Sequence, residues 1–364
     1  MAIEDGNQRD RDIWGEVARS WYSTASDISP DTGRLYHHLG ILARPNAVEQ
    51  LSLYCRSLIC VSPFQNAHES LSNLLTSALS PEKAGRTVLC IHELDATFIH
   101  IHAAMYTQLA QKAEKSVSFE DVYEKQGMYI AGLAGQIDYL GERWKKHGVC
   151  IAIANIAACL GYGDEGTDNP ILAALTSLSD ATESVQLSDS DWSSLMQATG
   201  LLFSVLAVAL SRKADFTVLP HVHVLLVFIR GVVSLSFGSA PYLQTFVDLV
   251  PWLELGAFLN SFPRPDTISE DVLDAADLRA VERRACPLFE DYSLRGAVWG
   301  RNYLAEKWFT NSSDDSTGEV EELSANDTRL QRVLWLGVSI SKRVNHLRFN
   351  ADSMTFIDGH RYSQ

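Results

Sequence analysis

Apolar residues recur at i, i+3 and i+4 through most of the chain. That spacing places them on one face of a helix. It predicts helices over Pro81–Gln111, Phe119–Cys159, Asp191–Ala214, Val218–Leu235, Tyr242–Leu259, Thr267–Cys286 and Thr328–Phe349. No run alternates with period two for long enough to argue a sheet, so the predicted fold class is all-α. The pattern breaks at Gly161–Pro170, at Ser261–Pro265 and at Thr310–Thr328. The last break carries Asp314, Asp315, Glu319, Glu321, Glu322 and Asp327 with no basic residue, and reads as an acidic, solvated loop over 310–328 with a mobile centre. Two stretches are apolar enough to suggest a membrane span. Leu201–Leu210 is about half the ~20 residues a bilayer needs, and Val218–Phe237 contains Pro220, His221, His223 and Arg230, which are costly in hydrocarbon. Both are read as core helices, with no membrane partner.

A second periodicity opens the chain. Ala18, Tyr22, Ala25 and Pro30 reproduce the A-x3-F/Y-x2-A-x4-P half of a tetratricopeptide repeat, and Tyr36, Leu39 and Gly40 then occupy the W-x2-L-G positions of the next unit. After a one-residue deletion, Leu51, Cys55, Leu58 and Pro63 complete that unit. Small residues let paired helices approach, aromatics fill the gap and proline ends the second helix. Two tetratricopeptide-like hairpins are therefore expected over 12–80, with Gly40 facing its neighbour. An array of this kind normally needs about three repeats, so the helical region over 81–350 is expected to pack on the hairpins and cover their apolar edge, as a solenoid or bundle in one continuous domain.

Composition narrows the function. The 364 residues are 46% hydrophobic, enough for a sizeable core. Thirty Lys and Arg against 45 Asp and Glu give a net charge of −15, whereas proteins held to nucleic acid mainly through phosphates carry a basic surplus. Any nucleic-acid contact must come from a local patch. The six cysteines form no C-x-x-C pair and are read as buried, reduced thiols of an intracellular protein. The first residues show neither a basic start nor an apolar run, so no secretory or transit signal is visible and the expected location is nucleus, cytoplasm or both.

Catalytic chemistry finds little support. His100-x-His102 and His221-x-His223 would point about 200° apart on a helix and cannot chelate one metal, so these histidines, with His37, His38 and His92, are assigned core or capping roles. There is no G-x-S-x-G elbow, and Gly161-Tyr-Gly163 runs into Asp164 and Glu165, which would repel a phosphate. The expectation is no enzyme, no metal, no cofactor and no small-molecule substrate. Basic clusters remain. Arg143-Trp144-Lys145-Lys146 joins charge to a stackable indole, and Arg332 and Arg343, eleven residues apart, would share a face of one helix. These six are the candidate nucleic-acid residues; ordinary solvated basic faces are the alternative. Arg34, Arg44 and Arg56 are the candidates for a partner groove that meets an acidic or phosphorylated peptide, although Arg56 could instead bridge to Glu49 or Glu69.

Several phrases, in order, resemble a known family. Asp31-Thr-Gly-Arg-Leu-Tyr-His-His-Leu-Gly-Ile-Leu-Ala43, then Leu53-Tyr-Cys-Arg-Ser-Leu58 and Pro63-Phe64, resemble the junction between the repeat half and the helical half of the ever-shorter-telomeres/SMG family. Phe98-x3-His102-x3-Tyr106, Val250-Pro-Trp-Leu253 with Leu259-Asn-Ser-Phe262, and Leu288-Phe-Glu-Asp-Tyr-x-Leu-Arg-Gly296 are similar to later family phrases. The closing run with Arg332, Leu334, Leu336 and Gly337 is similar too. Phe289 stands where the family prefers proline, and 161–191 matches nothing. The resemblance implies a helical DNA/RNA-binding-type region serving telomerase or nonsense-mediated mRNA decay. Its family's 14-3-3-like, phosphoserine-binding half would lie upstream of Asp12, and no PIN-type nuclease follows, so neither activity is carried over. What it implies is a scaffold or adaptor that binds protein partners of RNA-surveillance or telomerase complexes, with RNA or single-stranded DNA as a further partner. A pure protein-interaction α-solenoid without nucleic-acid binding is the alternative, which the acidic charge favours.

Overall fold

The computed structural model describes residues 8–79, 93–110, 119–164, 169–176, 188–235, 241–263, 287–301, 303–304, 309 and 324–359. Four helices open it: α1 (Gln8–Ile28), α2 (Gly33–Leu42), α3 (Ala47–Leu58) and α4 (Ala67–Leu79). Each packs against the next. Asn46 caps α3 by accepting from the Glu49 backbone N–H at 3.1 Å, satisfying one of the orphan donors of the first turn. A Cβ added to Gly40 would lie 2.6 Å from the Tyr54 ring, so α2 and α3 approach as closely as they do because that side chain is missing. Tyr36 fills the gap beside it and donates its hydroxyl to the Pro30 carbonyl at 2.6 Å.

The chain continues through α5 (Glu93–Ala110), α6 (Phe119–Leu140), α7 (Trp144–Cys159), α8 (Pro170–Thr176), α9 (Asp189–Ser211), α10 (Leu219–Val233), α11 (Pro241–Asp248), α12 (Trp252–Ser261), α13 (Phe289–Leu294) and α14 (Ser324–Ser341). The α7 helix is the axis of the fold. Beyond its basic first turn it is apolar on nearly every side and touches α3, α9 and α10, so residues such as Ile151, Ala154, Ile156 and Ala158 are all buried. The α10 helix lies between α7 and α14 and is equally surrounded. One core therefore runs from the hairpins into the rest of the chain. Asp191–Ser211, within α9, is long and apolar enough by composition to cross a membrane; in this fold most of it is buried against α6, α7 and α12.

Four expectations need correction. Residues 119–159 form two helices, not one, because a 3-10 turn at Gly141–Arg143 with Gly141 at φ +51° separates α6 from α7. Pro251 likewise splits Tyr242–Leu259 into α11 and α12, since proline cannot supply the N–H of a continuing helix. The last predicted helix stops at Ser341. Beyond it a two-stranded antiparallel hairpin, β1 (Leu347–Asn350) with β2 (Thr355–Asp358), lays Leu347 and Phe356 on Gly256 of α12 and Gly337 of α14. Four-residue strands are too short to show period two against a helical background. Finally, 324–328 belongs to α14 and not to the acidic loop; the rest of that loop, 310–323, lies outside the described residues, as do Thr267–Cys286, 81–92 and His92.

Candidate functional site

The densest polar cluster is internal. The short helix α13 carries Glu290 and Asp291, both fully buried, on the Leu288–Gly296 phrase. Glu290 Oε1 accepts from Arg329 Nε at 2.6 Å and lies 2.9 Å from His223 Nδ1, while Oε2 accepts from Arg329 Nη2 at 2.9 Å. The Tyr303 hydroxyl closes the chain on His223 Nε2 at 2.5 Å. Beside it, Arg332 is ion-paired with Asp291. Burial alone would raise the Glu290 carboxyl, but the hydrogen bonds from His223 and Arg329 and their charges outweigh it and hold Glu290 at about 2. Taking such ions from water is repaid only when every partner stays in place, so α10, α13 and α14 are held in one arrangement.

The same loop reaches the hairpins. Arg56 of α3 donates to the carbonyls of Tyr292 and, at 3.0 Å, Arg295, and its guanidinium lies 3.8 Å from the centre of the Tyr36 ring. The Val61 N–H donates to the Gly296 carbonyl at 2.8 Å, and Arg295 pairs with Asp27 at the end of α1. Gly296 sits at φ +69°, where a Cβ would fall 2.0 Å from the Pro30 carbonyl oxygen. Only glycine fits that backbone and that contact. Residues 288–300 are thus a latch between the two parts of the chain.

This geometry revises the candidate residues. Trp144 is 0% exposed, packed against Gly148, His147 and His221, and cannot stack on a base. Arg332 is equally buried and serves Asp291, while Arg343 lies beyond the end of α14, exposed, and donates to the Ser339 carbonyl at 2.5 Å. Arg332 and Arg343 therefore share no face. Arg56 belongs to the latch and not to a partner groove; it meets neither Glu49, which pairs with Arg19, nor Glu69. Arg143 and Lys146 are exposed, with Arg143 5.9 Å from the Tyr139 ring centre; Lys145 is largely covered and bridges to Glu142 at 2.9 Å. Arg34 and Arg44 are exposed, Arg34 5.9 Å from the Phe64 ring centre.

His102 and His221 are buried and held by hydrogen bonds within the core. His102 lies between the Tyr162 hydroxyl at 2.8 Å and Asn155 at 3.1 Å, and burial lowers it to about 3; His221 bonds the Gly148 carbonyl, and burial lowers it to about 4. Among the described residues no three His, Cys, Asp or Glu side chains are placed to hold a metal ion. Burial raises the thiols of Cys60 to about 11 and of Cys150 and Cys159 to about 12, which makes them poor nucleophiles at neutral pH. Cys90 and Cys286 lie outside the described residues.

What the surface offers instead is apolar. Along α1, Trp14, Val17, Trp21 and Ile28 face outward, with Trp21 73% exposed; along α6, Tyr123, Met128 and Tyr139 do. Sequence reasoning missed both faces because an apolar residue at helical spacing reads as core.

Comparison with known proteins agrees with the architecture. A sequence profile for the Est1 DNA/RNA binding domain matches residues 18–128. The nonsense-mediated mRNA decay factor SMG7 of Danio rerio is 26% identical over 331 residues, 88% of this chain. In the crystal structure of Est1 and Cdc13, the matched chain superposes on 93% of this one with a TM-score of 0.59 at 13% identity, a likeness of fold. The chain spans 25% of the length of the zebrafish factor and 65% of that Est1-complex chain. The latch phrase at 288–296, the repeat-like hairpins and these likenesses converge on one resemblance: the chain is similar in sequence and fold to members of the ever-shorter-telomeres/SMG family.

Proposed function

We propose that this chain is a non-catalytic scaffold that holds protein partners of RNA-surveillance or telomerase assemblies on its exposed helix faces, in the nucleus, the cytoplasm or both. The observation that carries the reading is the disposition of its side chains. The strongest charges, Glu290, Asp291, Arg329 and Arg332, turn inward to lock the fold, while large apolar side chains on α1 and α6 turn outward. Faces of that kind bury area against another protein. Arg34 and Arg44 remain candidates for an acidic peptide beside the hairpins.

A second reading, contact with RNA or single-stranded DNA, draws on Arg143 and Lys146 beside exposed Tyr139 and on isolated Arg343. With net charge −15 it is a local supplement. Removal of the gene from its host tests the proposal. We expect a premature-stop reporter mRNA to persist longer or telomeres to shorten; if reporter half-life and telomere length both stay at parental values, the role is wrong.

A further inference from the structure

The outward face of α6 is arranged to receive another helix. Tyr123, Gly127, Ala131, Gly135 and Tyr139 follow one another at a strict four-residue interval, and all five are exposed. The tyrosines are 54% and 62% exposed and Met128 beside them 61%, so the face offers its large apolar side chains to solvent. Between the tyrosines, a Cβ at Gly127 or Gly135 would meet nothing within 4 Å. The result is a shallow groove that crosses the exposed side of α6 obliquely, since each four-residue step turns about 40° round the axis, with a tyrosine on either flank and about 24 Å between them along the axis. Rows of this spacing are the ones that interdigitate in the commonest helix-packing class.

Charge determines what fits. At the amino-terminal end of the groove stand Glu120, Asp121 and Glu124, with partly covered Lys125 the basic residue among them. At the other end the exposed carboxylates Asp138 and Glu142 are paired, with Arg212 at 2.8 Å and Lys145 at 2.9 Å, so exposed Arg143 and Lys146 make that end net positive. A helix with acidic residues in its first turn and basic residues in its last, the pattern its own dipole favours, matches both ends only when it lies antiparallel to α6.

We infer that α6 docks an amphipathic helix of a partner protein, antiparallel, with a narrow apolar ridge, an acidic first turn and a basic last turn. This rests on the scaffold reading and names one of its surfaces. The probe is a fluorescein-labelled, side-chain-stapled 18-residue helix of that design, titrated into the full chain by anisotropy beside a peptide whose charged end residues are all replaced by glutamine. We expect a Kd on the order of 10 µM, at least five-fold weaker binding of the glutamine peptide, and loss of that difference in Arg143→Glu/Lys146→Glu. Gly127→Gln/Gly135→Gln should weaken binding at least ten-fold without lowering Tm, because both side chains enter open space. Absence of binding, equal affinity for the two peptides, or full affinity in the glutamine variant overturns the inference. So does displacement of the peptide by a uridine 20-mer, which assigns the face to nucleic acid, or a dimer lost in the glutamine variant, which assigns it to a second copy. The reporter and telomere assays do not depend on this face, so the docking and the role fail separately.

Discussion

Replacing Glu290 by Ala tests whether the latch holds the fold together. Glu290, His223 and Arg329 are all 0% exposed, and the carboxylate accepts two hydrogen bonds from Arg329 at 2.6 and 2.9 Å. Without it the guanidinium keeps its 3.2 Å contact with Asn326 but loses the two hydrogen bonds and the negative charge of Glu290 in a medium that solvates it poorly. Removing one member of a buried pair costs about 3–5 kcal/mol, while replacing both by apolar groups is often neutral. At about 2 °C per kcal/mol for a chain of this size, Tm should fall by roughly 6–10 °C in Glu290→Ala, and Glu290→Leu/Arg329→Met should recover more than half of it. The pH dependence has a definite sign. The folded carboxyl sits at about 2 against an ordinary 4.5, so its contribution is complete above pH 4.5 and disappears as pH falls from 4.5 towards 2. The gap in Tm between the parent and Glu290→Gln should therefore close through that window. A fall of less than 2 °C, or a double variant worse than Glu290→Ala, refutes the reasoning.

Gly40→Leu should lower stability by about 1–3 kcal/mol in urea unfolding, because its side chain must enter the space held by Tyr54; an unchanged midpoint would mean that α2 and α3 separate freely. Gly296→Ala meets both the Pro30 carbonyl and an unfavourable φ, and by differential scanning calorimetry we expect it to cost more than the ~1 kcal/mol of conformational strain alone. Trp144→Ala empties a fully buried site and should cost about 3–5 kcal/mol by thermal melting while leaving any RNA affinity, read by filter binding at a temperature where the variant is folded, within two-fold.

Helix periodicity carried most of the fold, and Gly40 could be read from repeat spacing because a missing side chain at a helix contact leaves a fixed sequence interval. The breaks at Gly141 and Pro251 were harder to place, since each interrupts the backbone without interrupting the apolar pattern on either side. The site was least legible where charge was taken as exposure. Arg332 and Arg329 occupy helix positions like any solvated basic pair, and only the tertiary approach of Glu290 and Asp291, about forty residues away along the chain, makes them internal. The phrases at 288–296 and 329–341 each held one half of that network, and opposite charges within two separated motifs were the available signal. Trp144 was ambiguous for the converse reason. Its basic neighbours suggested a surface, but the direction of the indole depends on the 3-10 turn before it.

The most direct test of a protein-holding scaffold with at most a local nucleic-acid contact is a single-stranded RNA titration of the full chain across 50–200 mM salt. With Arg143 and Lys146 as the exposed cations at the candidate patch, each contact contributing about −0.7, the account predicts a weak affinity whose log–log salt slope is no steeper than about −2 and which Arg143→Ala/Lys146→Ala abolishes. A submicromolar affinity at 150 mM salt with a slope beyond about −5, unchanged in that variant, would contradict it.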